Sequence, residues 1–254
     1  DFAQLDDRDV IELLAAAHAP VADLDPAAAA ATGPPPPPLE RTVEIEAEPG
    51  VTLTGDLRLP DAAAGLVIFA HGSGSSRLSP RNRQVAEALN AVGLATLLFD
   101  LLTEEEATDR AKVFDIDLLA ERLVAATRWA QAEDDLSEPT LGYFGASTGA
   151  AAALCAAAEI GSGIGAVVSR GGRPDLAAHR LAAVMAPTLL IVGGADWQVL
   201  ELNERAAELL ACEHEVAVVP GATHLFEEPG ALERVAELAG AWFVRHLAGD
   251  RSAA

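Results

Sequence analysis

The chain has 254 residues, half of them apolar, which suits one domain with a sizeable core. Its 39 acidic side chains outnumber its 17 basic ones, giving a formal net charge of -22. A surface of that sign repels nucleic-acid phosphates and anionic lipid, so neither a nucleic-acid nor a membrane partner is expected. The opening DFAQLDDRDV lacks the basic stretch and apolar core of a leader peptide, and no apolar run is long and clean enough to span a bilayer. A cytoplasmic enzyme is the expectation. The first residue is Asp1 and the only methionine is Met185, so the sequence reads as starting downstream of a start codon. Two cysteines, Cys155 and Cys212, make no disulfide framework. Both read as buried thiols, Cys155 within an Ala-rich helix and Cys212 at the end of another.

Residues 7 to 17 form an amphipathic pattern with Val10, Ile11, Leu13 and Leu14 on one side. An Ala-rich stretch and five consecutive prolines, 34 to 38, follow. Prolines lack N–H donors and favour a stiff extended spacer, so 1–39 is read as a helix plus linker and 40–254 as the main domain. Residues 42–48 and 52–59 alternate as half-buried strands do, with Pro49-Gly50 as the turn. Residues 66–70, LVIFA, are apolar throughout, as in a strand covered on both faces. The pattern then predicts a helix at 82–91, a strand at 95–99, a helix at 117–130, a strand at 140–144 and a helix from about Thr148. Further strands are expected at 164–169, 188–192 and 215–219, with helices at 200–210 and 231–247. Strands alternating with helices define an α/β fold with a mostly parallel, doubly wound sheet and helices on both faces. Only about eighteen residues separate the strands at 164–169 and 188–192, leaving room for little or no lid.

Gly145-Ala146-Ser147-Thr148-Gly149 matches G-x-S-x-G between a buried strand and a run of helix formers. That is the strand, sharp turn and helix on which a nucleophilic serine is held. Such a serine needs a base and a group to orient it. His224 follows the last strand, and Asp196 follows the strand at 188–192, giving the chain order Ser, Asp, His. Asp196 could instead cap the helix after it. The loop Ala70-His71-Gly72-Ser73-Gly74-Ser75-Ser76 follows a buried strand, and the backbone N–H groups of Ser73 and Thr148 are the candidate oxyanion donors. The glycines match no phosphate-loop pattern, and no His or Cys cluster has metal-ligand spacing, so neither a cofactor nor a metal is expected. Arg170, Arg77 and His71 border this region as candidate substrate-binding residues. Arginine's planar fork suits a carboxylate or phosphate, whereas His71 could simply brace its own loop.

With these motifs in place, residues 41 to 248 resemble the dienelactone hydrolase-like group of α/β-hydrolases. The likeness rests on the 69–76 loop, the Gly145–Gly149 motif, Val192-Gly193-Gly194-Ala195-Asp196 and Gly221-Ala222-Thr223-His224. It implies catalysis by Ser147, Asp196 and His224 on a small-molecule ester. The name-giving enzymes carry a cysteine nucleophile where this chain has Ser147, so a serine carboxylesterase working through an acyl-enzyme is the expectation. A lactone, thioester or phosphotriester would suit the same residues, and a catalytically silent binding module is the rival of another class. DFAQLDDRDVIELLAAA is similar to the end of a phosphoribosyltransferase domain, which bacterial relatives often carry ahead of the hydrolase. Monomer and homodimer both remain open.

Overall fold

The structure is a computed structural model, and it describes residues 39–136 and 140–248. The expected helix at 7–17 and nearly all of the expected linker lie outside the described residues. Eight strands form one sheet: β1 (Leu39–Glu48), β2 (Val51–Leu59), β3 (Leu66–Ala70), β4 (Ala95–Phe99), β5 (Leu141–Ala146), β6 (Ile164–Arg170), β7 (Thr188–Gly193) and β8 (His214–Val219). The helices are α1 (Pro80–Ala91), α2 (Arg110–Val113), α3 (Ile116–Ala132), α4 (Thr148–Ile160), α5 (Trp197–Ala207) and α6 (Ala231–Leu247).

The strand order is β1-β2-β4-β3-β5-β6-β7-β8. β1 and β2 form an antiparallel hairpin, in which Val43 faces Gly55 and Ile45 faces Leu53. β2 runs antiparallel to β4, and every later neighbour is parallel. This is the α/β-hydrolase architecture. β3, β4, β5 and β7 are buried at every residue, because helices cover both faces. Alternation divides the side chains between two cores. Leu66, Ile68 and Ala70 of β3 pack with α3 and α4, while Val67 and Phe69 pack with α1 and α6. α4 has buried residues all along from Thr148 to Ala157, which its small alanines permit against the central strands.

The expected helix at 200–210 begins and ends three residues earlier. Leu200 N–H already donates to the Asp196 carbonyl, so the first turn forms directly after Asp196. Leu209 and Leu210 bond back only three residues, which tightens the chain into a closing turn. Cys212 therefore sits in the loop before β8, half-buried, and does not end a helix. Between β6 and β7 there are only two short 3-10 turns, Pro174–Ala177 and Leu181–Ala183, and no helical lid. No helix among the described residues is long and apolar enough to cross a membrane.

Candidate active site

The carboxyl ends of the parallel strands deliver their loops to one edge of the sheet, where ligands of such sheets bind. Ser147 stands between β5 and α4 with φ 52 and ψ −120, a strained conformation for a residue with a Cβ. The turn is held from outside. Ser147 N–H donates to the Arg170 carbonyl at 3.2 Å, and Ser147 O accepts from Ala150 and Arg173 N–H, each at 3.1 Å. The flanking glycines leave room for close backbone passage. A Cβ on Gly149 would lie 2.2 Å from the Ala70 carbonyl oxygen, and one on Gly145 would lie 2.4 Å from Ala150 Cα.

His224 and Asp196 meet at this edge, with His224 Nδ1 2.7 Å from Asp196 Oδ2. Asp196 occupies the N-cap position of α5, yet its carboxylate makes no cap bond and goes to the imidazole instead. The two loops are tied together by the Ala195 N–H donating to Ala222 O at 2.9 Å. Gly171 places His224 relative to the elbow: a Cβ there would be 3.1 Å from His224 O. Its neighbour Arg170 accepts the Ser147 N–H, so one turn separates the serine from the imidazole. Among the described residues no hydrogen bond joins the Ser147 hydroxyl to His224. Asn203, which no motif singles out, is fully buried and donates to Gly172 O at 3.0 Å, fixing that turn.

The structure corrects the expected roles of Ser73, His71 and Arg77. The Ser73 N–H is not a free oxyanion donor, because it is given to Thr148 Oγ1 at 2.9 Å. The Thr148 N–H, in the first turn of α4, has no intrahelical acceptor. His71 spends both ring nitrogens on the protein: Nδ1 lies 3.0 Å from Gly72 O and Nε2 accepts from Leu101 N–H at 3.0 Å. It braces the loop against the segment after β4 and is not available to substrate. Burial pushes its pKa down, against the opposing pull of Gly72 O and Asp100. Arg77 is taken by Asp100, which accepts both its backbone N–H at 2.8 Å and its guanidinium at 2.5 Å. Arg170 is buried beside α1, its Nη2 3.4 Å from Asn82 Oδ1. A cavity of about 640 Å³ lies alongside the 71–78 loop, with Leu53, Leu102, Val113 and Leu119 among its apolar walls.

The expectation of a serine hydrolase is overturned by a second grouping. Asp117 at the start of α3, Cys155 in the middle of α4 and His179 between the two 3-10 turns bring carboxylate, thiol and imidazole within 4.8 Å of one another. A thiol, an imidazole and a carboxylate thus meet away from Ser147, with no hydrogen bond among the described residues joining the three. A serine carboxylesterase is therefore not the class that the residues define. Cys155 was expected to be an idle buried thiol, and no cluster of metal-ligand type was expected at all. No local motif could reveal this grouping, since its members lie far apart in sequence and meet only through the packing of α3 on α4. The thiol is buried, and burial pushes its pKa up to about 11, with Asp117 adding to the rise and Arg180 opposing it.

Fold and site together define an α/β-hydrolase. No protein-family model matches the chain. A dienelactone hydrolase from Anabaena variabilis is 55% identical in sequence and superposes with a TM-score of 0.80, covering 83% of this chain and 99% of that one. The chain belongs to the dienelactone hydrolase-like family. A putative phosphoribosyl transferase of Mycobacterium tuberculosis is 54% identical over 252 residues, which is 98% of this chain and 55% of the relative. The chain thus spans about half the length of the curated relatives it matches. Est1E from Butyrivibrio proteoclasticus, at 18% identity and a TM-score of 0.70, shares the fold.

Proposed function

We propose that the chain is a hydrolase of the dienelactone hydrolase type acting on a small-molecule ester or lactone. We further propose that Ser147, Asp196, His224 and the Thr148 N–H belong to its site at the carboxyl edge of the sheet. The observation that carries this reading is the 2.7 Å imidazole–carboxylate pair beside a strained strand-to-helix turn. A carboxylate on Nδ1 fixes the tautomer, leaving Nε2 to take a proton from a nucleophile and return it to the leaving group. The first turn of α4 supplies N–H groups and the positive end of a helix dipole where an oxyanion develops. The nucleophile is not assigned to serine, because Cys155 has its own imidazole and carboxylate.

The test combines turnover with mapping of the reactive side chain. Ser147→Ala and Cys155→Ala are assayed on p-nitrophenyl esters and lactones. Fluorophosphonate and iodoacetamide adducts are located by peptide mass spectrometry. The expected result is that one of the two substitutions abolishes turnover and the same residue carries the adduct. Full turnover in both variants overturns the hydrolase reading at these groups.

A further inference from the structure

Nearly every arginine described here has an acid beside it. Arg173 makes a two-pronged bond to Asp175 at 2.8 and 2.7 Å. Arg122, the other buried arginine, reaches Glu106 at 3.1 Å and Glu48 at 2.9 Å. Of these two buried arginines, Arg170 is the one without an acid. Its residue exposure is 8%, and its Nε and Nη1 have no partner among the described residues. Among the described residues its side chain has one hydrogen bond, the long one from Nη2 to Asn82 Oδ1, and it forms no ion pair with a described carboxylate. In a chain with 39 acidic residues, an acid was easily available to this position. A buried charge without a partner carries a desolvation cost that an anion would offset.

Further positive groups surround Arg170. Asn82 lies in the first turn of α1, a helix of 12 residues with no acidic residue in that turn. The positive end of such a helix favours an anion. Its Ser79 cap satisfies the Asn82 and Arg83 amides, leaving the Arg81 N–H without an acceptor among the described residues. The Arg81 guanidinium lies close enough to Arg170 to depress its pKa further, burial being the larger cause, and the value falls to about 10. Arg81's one acid, Glu227, sits on its exposed side at 3.3 Å and does not pair with Arg170. Two guanidinia and a helix amino end ask for more negative charge than one carboxylate brings, and arginine's fork fits the oxygens of a tetrahedral anion.

We propose that Arg170, Arg81 and the amino end of α1 hold a phosphate-type oxyanion, either free or carried on the substrate. The site adjoins the hydrolytic edge, since the Arg170 carbonyl accepts the Ser147 N–H. The substrate-borne form rests on the hydrolase reading; the binding of free phosphate does not.

The experiment is thermal unfolding and calorimetric titration with inorganic phosphate against chloride at matched ionic strength. Wild type is compared with Arg170→Met and with Arg81→Gln, which alters a half-buried side chain and keeps the test valid if the buried replacement fails to fold. The expected result is a saturable stabilisation of wild type by phosphate, lost in Arg170→Met and weakened several-fold in Arg81→Gln. A phosphorylated ester and its neutral analogue then distinguish the sources. A KM rise in Arg81→Gln for the phosphorylated ester alone marks a substrate group, and no such rise marks free phosphate. Phosphate no better than chloride in wild type, or the same stabilisation in wild type and both variants, overturns the proposal whatever the turnover assays give.

Discussion

His224 Nδ1 lies 2.7 Å from Asp196 Oδ2, although the two residues come from different loops, after β8 and β7. Parallel pairing of β7 with β8 brings the loops together, with Val192 beside Val218 and Gly193 beside Val219. The pair is therefore a product of strand register, and a change to either member acts on the other.

Asp196→Asn tests whether this pair serves the reaction. The amide presents a donor where Nδ1–H needs an acceptor, which favours the wrong tautomer of His224. Turnover on an ester or lactone is expected to fall by roughly 10³- to 10⁴-fold with the fold intact. Circular dichroism and steady-state kinetics read the two quantities. Wild-type turnover in Asp196→Asn would place the chemistry away from this edge, and would direct attention to Cys155 and His179.

The strands and most helices were legible because each carries its own period. β3 is a continuous apolar run, β4 departs from one only at Thr96, and α6 begins and ends where its apolar face does. The elbow was legible because its glycines are local. The grouping of Asp117, Cys155 and His179 was not, since only the packing of three separate segments creates it. The occupied state of the Ser73 amide was equally hidden. A sequence shows that a loop has an N–H group, and only coordinates show that the Thr148 hydroxyl already accepts it.

Gly149→Ala is expected to cost more than its one methyl group suggests. The new Cβ would stand 2.2 Å from Ala70 O and 2.5 Å from His71 O, both backbone atoms that cannot rotate away. Either α4 moves off β3 or the 71–76 loop is displaced. Overpacking of this kind costs about 1–3 kcal/mol. Chemical denaturation should show that loss together with reduced turnover. Unchanged stability would mean that the elbow tolerates a wider separation between β3 and α4.

Cys155 carries a prediction about reactivity. Its thiol, raised to about 11 by burial, is protonated at neutral pH. Only the thiolate is alkylated, so the rate with iodoacetamide should climb about tenfold per pH unit from 7 to 10. Peptide mass spectrometry of the native protein follows Cys155 separately from Cys212, whose thiol burial also raises. Rapid alkylation of Cys155 at pH 7, independent of pH, would mean that His179 has already taken the proton and that the thiolate is the resting form.

His71 makes stability fall as the solution is acidified. In the fold its ring is buried, with Nε2 accepting the Leu101 N–H, and burial lowers its pKa from the ordinary 6.5. Protonation would place a charge in the interior and turn that acceptor into a donor facing another donor. The unfolded chain takes up this proton near pH 6.5, whereas the folded chain takes it up only at lower pH. Between those two values the unfolded state binds more protons, so stability rises with pH. The contribution of the neutral ring is complete above 6.5 and is lost as pH drops toward the folded pKa. His71→Gln removes the titration while leaving a polar side chain in the same loop. Denaturation of wild type and variant across pH 5.5 to 7.5 measures the difference, using a window above the ordinary range of the carboxylates (about pH 4). The advantage of wild type over His71→Gln should shrink steadily as pH falls from 7 to 5.5. A constant difference would show that His71 changes protonation alike in both states, and that burial does not hold the ring neutral.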